Sequence, residues 1–182
     1  VTLSIHVQTR PGDAYNNDRM ALCWDLVPAV NAELRALAAA RARRVQIDEP
    51  SAAIVPGQIG EYVKMFNACV EGVKAKIGYH VCFGNLLSRP RGKRSYRFLF
   101  PQILDVKCDQ FVFEYANREM AEIELWKDVG VDREVACGVV DVKSFYMETP
   151  EDVLERVRLC LASIPADRLS LVPDCGFFPV PR

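Results

Sequence analysis

His80 and Cys82 stand at i and i+2 in GYHVCFGN, residues 78–85, at the end of an apolar run. On an extended strand that spacing points both side chains to one face. Imidazole nitrogen and thiolate sulfur are first-choice zinc ligands. Taken alone, the pair also fits a hydrogen-bonded rim histidine beside a cysteine packed as a small hydrophobe. Two later residues narrow the choice. Glu114 ends the run QFVF, where a carboxylate is costly to bury without a partner, and Cys175 follows LSLVPD just before Gly176. If these runs end together, histidine, two thiols and a carboxylate converge on one pole of a sheet.

Positioning such residues requires neighbouring strands that run the same way. Six stretches read as strands from their Val, Ile and Phe content: VTLSIHV, RRVQIDEP, KIGYHVC, QFVFEYA, VACGVVDV and LSLVPDC. Between them lie amphipathic stretches, DRMALCWDLVPAVNAELRALAAA, GQIGEYVKMFNACVEGV and TPEDVLERVRLCLASI. In the last, Thr149 before Pro150, Glu151 and Asp152 predicts a helix start, with a hydroxyl cap, proline at the first position and acids in the first turn. Alternating β and α elements imply a parallel sheet. Polar residues gather where strands end: Asp48-Glu49, His80–Cys82, Glu114, Asp141–Lys143 and Asp174-Cys175. In a (β/α)8 TIM barrel, functional groups project from those ends. The expectation is therefore one domain over residues 1–182, supplying about the last six β/α units of such a barrel, roughly its third to eighth strands. The opening inside an apolar run, without Met, agrees with that placement.

Composition excludes several classes. With 23 Lys and Arg against 24 Asp and Glu, the chain has no basic excess for nucleic acid. No stretch approaches the roughly 20 apolar residues that span a bilayer, and the opening VTLSIHVQTRP lacks the pattern of a secretory leader. Seven cysteines, at 23, 69, 82, 108, 137, 160 and 175, are an odd number for a disulfide framework. They point to a reducing, cytoplasmic setting. The oligomeric state is not legible.

The stretches VQIDEPS, YHVC, FVFEY, GVVDVKS and LVPDCGF, in this order, resemble the catalytic barrel of cobalamin-independent methionine synthase and its relatives, among them short core-type methionine synthases and epoxyalkane:coenzyme M transferase. The likeness runs from VTLSI nearly to the end. It implies a catalytic zinc held by His80, Cys82, Glu114 and Cys175, and a role for Asp48 in holding the amino group of a thiol substrate. The implied activity is methylation of homocysteine, activated as a thiolate, to methionine. The implied donor is a methylcorrinoid or methyltetrahydrofolate. Glu114 is the ligand a carboxylate's lability would let an incoming sulfur displace.

The pattern also departs from the long methionine synthases, where a histidine commonly stands at the place of Lys143. A lysine there is a fixed cation, which either attracts an anionic end of a substrate or pairs with Asp141. Arg89, Arg91, Lys93 and Arg94 form a basic loop after the H-x-C strand. It reads either as a contact for an acidic partner or as a solvated surface loop. Glu49 reads as support for the following helix, and His6 as a minor candidate on the first strand. Two other functions fit the residues. One is alkyl transfer from an epoxide to coenzyme M, and the other is a non-catalytic zinc-binding partial barrel.

Overall fold

The computed structural model describes residues 1–54, 58–84 and 92–177. Five strands form one parallel sheet in sequential order: β1 (Arg44–Asp48), β2 (Lys76–Val81), β3 (Gln110–Phe113), β4 (Glu134–Val140) and β5 (Leu169–Pro173). Six helices accompany them: α1 (Thr2–Ile5), α2 (Arg19–Ala39), α3 (Ser51–Ile54), α4 (Ile59–Cys69), α5 (Leu125–Val129) and α6 (Pro150–Leu161).

Two expectations need correction. The run VTLSIHV is not a sixth strand: residues Thr2–Ile5 form the short helix α1, and His6 is its exposed C-cap. A lone strand leaves its backbone groups unpaired, whereas this segment closes its own turns. The N–H and hydroxyl of Ser4 both donate to the Val1 carbonyl, and Val7 N–H donates to the Ser4 carbonyl. The second follows from it: the sheet has five strands where six were expected. Among the described residues the sheet is open, with β1 and β5 as its two edges, so it is not a closed eight-stranded barrel.

Period-two alternation sorts the strands' side chains. Ile77, Tyr79 and Val81 on β2, Phe111 and Phe113 on β3, and Val135, Cys137 and Val139 on β4 are buried in one continuous apolar core. Tyr96 lies 4.4 Å from both Phe83 and Phe113, and Trp126 lies 5.2 Å from Phe113, centroid to centroid. Each such aromatic pair adds about 0.5–1.5 kcal/mol beyond area burial. The alternate positions, Gly78, His80, Val112, Glu114 and Ala136, fall on the opposite face. Near the strand starts that face carries a polar layer, in which Glu134 accepts from Lys76 at 2.7 Å and from Arg44 at 3.0 Å.

Local rules account for the helix ends. Asp18 caps α2 by accepting from the N–H groups of Met20 and Ala21. Thr149 and Asp152 form a capping box, with Pro150 at the first helical position. A stricter constraint sits on β4. An added Cβ at Gly138 would lie 2.1 Å from Asp174 Oδ1, so only glycine lets the end of β5 come this close. The β4–β5 register shifts at the same place, between Gly138 and Val140.

Candidate metal centre

The H-x-C pair leaves the end of β2 and Cys175 follows the end of β5. One donor atom each from His80, Cys82 and Cys175 lie within 4.8 Å of one another. The two sulfurs are 3.8 Å apart, and all seven cysteines are free thiols. A tetrahedral zinc with Zn–S bonds of about 2.3 Å requires sulfurs roughly 3.8 Å apart. His80 Nδ1 is buried without a hydrogen-bond partner among the described residues. Two soft sulfurs and an imidazole with an orphaned ring nitrogen fit zinc better than a hard cation. Either thiol can donate to the other. Cys175 is pulled well below the usual thiol range by the hydrogen bond with Cys82 and by the adjacent His80, while the same bond and burial push Cys82 up.

Glu114 leaves the end of β3 beside this group and is fully buried. Its Oε2 accepts from Lys143 Nζ at 2.5 Å, and its Oε1 has no partner among the described residues. Burial raises its pKa, with Lys143 opposing the rise. The side chain of Lys143 does not pair with Asp141. It meets Glu114, and only the backbone N–H meets Asp141, donating to Oδ1 at 2.8 Å. Asp141 therefore shapes the turn that delivers Lys143.

Asp48, exposed at the end of β1, is registered beside His80 and accepts from Gln46 Nε2 at 2.8 Å. Glu49 does not act on the following helix alone. It accepts from the N–H and hydroxyl of Thr2 and so anchors α1. Arg89 and Arg91 of the basic loop lie outside the described residues. Lys93 is exposed, and Arg94 donates to the Asn117 carbonyl at 2.6 Å.

Three residues that hold the site together carried no assigned role in the sequence. Asp174 accepts from the N–H groups of Tyr115, Ala116 and Asn117 at 2.7–2.9 Å, which ties the segment after Glu114 to the residue before Cys175. Burial, with Glu114 adding, pushes its carboxyl up to about 7 against those three donors. Tyr96 hydroxyl donates to the Val81 carbonyl at 3.0 Å and accepts from Glu114 N–H at 3.1 Å, joining the ends of β2 and β3. Arg118 lies over the rings of Phe83 and Tyr96 and pairs with Glu122 at 2.8 Å.

Glu122 also accepts from Tyr96 N–H at 2.6 Å and Ser95 hydroxyl at 2.7 Å. Burial raises its pKa, but these donors and Arg118 outweigh it and hold the carboxyl below its usual 4.5. A carboxylate whose pKa is depressed on folding stabilises the fold above its unfolded value, and that gain is lost as pH falls through the folded value. The urea midpoint of the parent chain should exceed that of Glu122→Gln at about pH 6, with the gap closing below about pH 4.5. A gap that widens toward acid would contradict this.

Comparisons with known proteins bear on the family and the fold. Residues 8–180 match the family described as cobalamin-independent synthase, catalytic domain. A methionine synthase of Saccharolobus solfataricus is 33% identical over 162 residues, 89% of this chain and 46% of that protein. One from Thermococcus kodakarensis is 34% identical over 162 residues, 89% of this chain and 45% of that protein. The structure of a B12-independent methionine synthase from Shewanella sp. W3-18-1, in complex with selenomethionine, superposes with a TM-score of 0.81 at 26% identity, covering 93% of this chain and 52% of that one. The chain thus spans about half the length of the relatives it matches. No helix among the described residues is long and apolar enough to cross a membrane. The chain belongs to the cobalamin-independent methionine synthase family, in its catalytic domain.

Proposed function

We propose that the protein to which this chain belongs methylates homocysteine to methionine with the help of one zinc ion. The observation that carries the reading is the convergence of His80, Cys82 and Cys175 donor atoms within 4.8 Å, from strand ends far apart in sequence. These three residues would hold the metal, with Glu114 the carboxylate at hand beside them. When bound, zinc stabilises a thiol in its anionic form at neutral pH, as a Lewis acid. Asp48, beside His80, offers a carboxylate to the amino group of the amino-acid substrate. Phe83, next to Cys82, and Tyr96 are both fully buried in the apolar core. The sulfur would form its bond to the donor's methyl carbon as the bond from that carbon to the donor breaks, the donor leaving with the electron pair and taking up the proton the thiol gave up, a reaction in which positioning is the protein's main contribution.

The donor in this reading is methyltetrahydrofolate rather than a methylcorrinoid, since the family is described as cobalamin-independent. The product agrees with the selenomethionine complex of the Shewanella protein. In the whole protein the five strands form part of a (β/α)8 barrel. The free state of all seven cysteines suits a reducing, cytoplasmic setting. Coenzyme M as the thiol would present its sulfonate to Lys143 and to the basic loop 89–94, and the pairing of Lys143 with Glu114 favours homocysteine over it. A purely structural zinc site usually has four closed, cysteine-rich ligands, and this group has two cysteines and a labile carboxylate neighbour. X-ray absorption at the zinc edge tests the reading. Adding homocysteine to the zinc-loaded chain should add one sulfur at about 2.3 Å, and an unchanged sulfur count would defeat it.

A further inference from the structure

Tyr96 reaches the strand ends from outside the sheet, in the crossover between β2 and β3, just before the short turn at Arg97–Leu99. It is fully buried, and its hydroxyl bonds to backbone on both sides. The Val81 carbonyl and the Glu114 N–H that it joins belong to one rung. Val81 is registered with Phe113, and in a parallel ladder of that register the Val81 carbonyl faces the N–H one residue beyond its partner, which is that of Glu114. The hydroxyl therefore braces the last rung of the β2–β3 pair. Val81 lies between His80 and Cys82, so the brace acts directly on the backbone that carries those two donors and on the backbone of Glu114 itself.

The ring is held as firmly as the hydroxyl. It packs against Phe83 and Phe113, each at 4.4 Å, the first following Cys82 and the second preceding Glu114. Arg118 lies over it at 5.1 Å, and the Tyr96 N–H donates to Glu122 at 2.6 Å. Neither bond of the hydroxyl involves a donor side chain, so the brace is independent of how those side chains turn toward a metal. Resting on the zinc reading of the site, we infer that Tyr96 is a positioning residue whose hydroxyl sets the spacing between the end of β2, with His80 and Cys82, and the end of β3, with Glu114. Without it the Val81 carbonyl and the Glu114 N–H have only each other, because buried backbone groups do not stay unpaired, and the strand ends shift as they meet.

Zinc affinity, measured by chelator competition on the folded chain, tests this. Tyr96→Phe keeps the ring and removes only the hydroxyl. It should weaken zinc by about tenfold, the scale on which loss of a group that orients metal ligands acts. Trp126→Phe is the matched control. It removes the buried bond from Trp126 Nε1 to the Tyr115 hydroxyl, in the same core but without a hydrogen bond to either strand end. Its urea midpoint should fall while its zinc affinity stays within about twofold of the parent. Cobalt in place of zinc gives a readout that lost stability alone does not move: the ligand-field bands should shift in Tyr96→Phe and stay in place in Trp126→Phe. In the zinc-loaded parent, NMR should show a slowly exchanging Tyr96 hydroxyl proton with a nuclear Overhauser contact to the Glu114 N–H.

Zinc affinity within about twofold of the parent in Tyr96→Phe, or equal losses in Tyr96→Phe and Trp126→Phe, would overturn the inference. So would absence of the hydroxyl–amide contact in the zinc-loaded parent, which can be read even if Tyr96→Phe fails to fold. If the parent chain binds neither zinc nor cobalt, the reading of the site fails first and the inference with it. If the parent binds zinc and homocysteine and Tyr96→Phe does so equally well, only the inference fails.

Discussion

Cys175→Ser is expected to lower zinc affinity by roughly a hundredfold or more. Four-ligand zinc sites bind with about 10–16 kcal/mol, so one thiolate accounts for about 3 kcal/mol. Serine keeps the size and loses the soft, acidic sulfur that suits zinc at neutral pH. Cys82→Ser should cost as much, because the two sulfurs stand 3.8 Å apart as equivalent corners of the same group. Cys69→Ser is the control. Cys69 sits at the end of α4, outside the trio, and its loss should leave zinc binding intact. Competition with a chromophoric chelator under reducing conditions reads all three. A Cys175→Ser chain that binds zinc within about twofold of the parent would remove the trio as the metal centre.

Asp174→Ala is expected to destabilise the chain by on the order of 3 kcal/mol, through a different cause. It leaves the N–H groups of Tyr115, Ala116 and Asn117 without their acceptor, the first two of them buried. Each buried donor left unsatisfied costs about 1–3 kcal/mol. Some of that is offset because the folded state no longer carries a carboxylate whose charge burial opposes. Asp174→Asn should cost less, since its amide oxygen can still accept the Tyr115 and Ala116 bonds while its NH2 faces the Asn117 donor. Urea unfolding gives the order parent, then Asn, then Ala. Gly138→Ala should fall near Ala in this series, because its Cβ would collide with the Asp174 backbone and side chain. An Asp174→Ala loss below about 1 kcal/mol would mean that water satisfies those amides and that the loop is not held from β5.

The runs RRVQIDEP, KIGYHVC, QFVFEYA, VACGVVDV and LSLVPDC were legible as strands because their Val, Ile, Leu and Phe content suits an extended chain, buried on the three central strands and only partly so on the two edges. The start of α6 was legible because a capping box is a contact within one turn. VTLSIHV misled for the same local reason. Its Val and Ile content suits a strand, but what it forms depends on a neighbour to pair with, and composition does not report that.

For the site, the sequence by itself determined that His80 and Cys82 share a face, because a period of two is intrinsic to a strand. It also determined which donor types were available at the strand ends. The tertiary structure alone decided which of them meet. Cys175 reaches Cys82 across 93 positions, and Lys143 reaches Glu114 rather than its near neighbour Asp141. Asp174 closes over the loop after β3 only because glycine at 138 leaves room for it. Those contacts are set by strand order and register, which arise when the sheet forms as a whole. A one-residue slip would turn every one of these side chains to the other face. No window of local sequence carries that information.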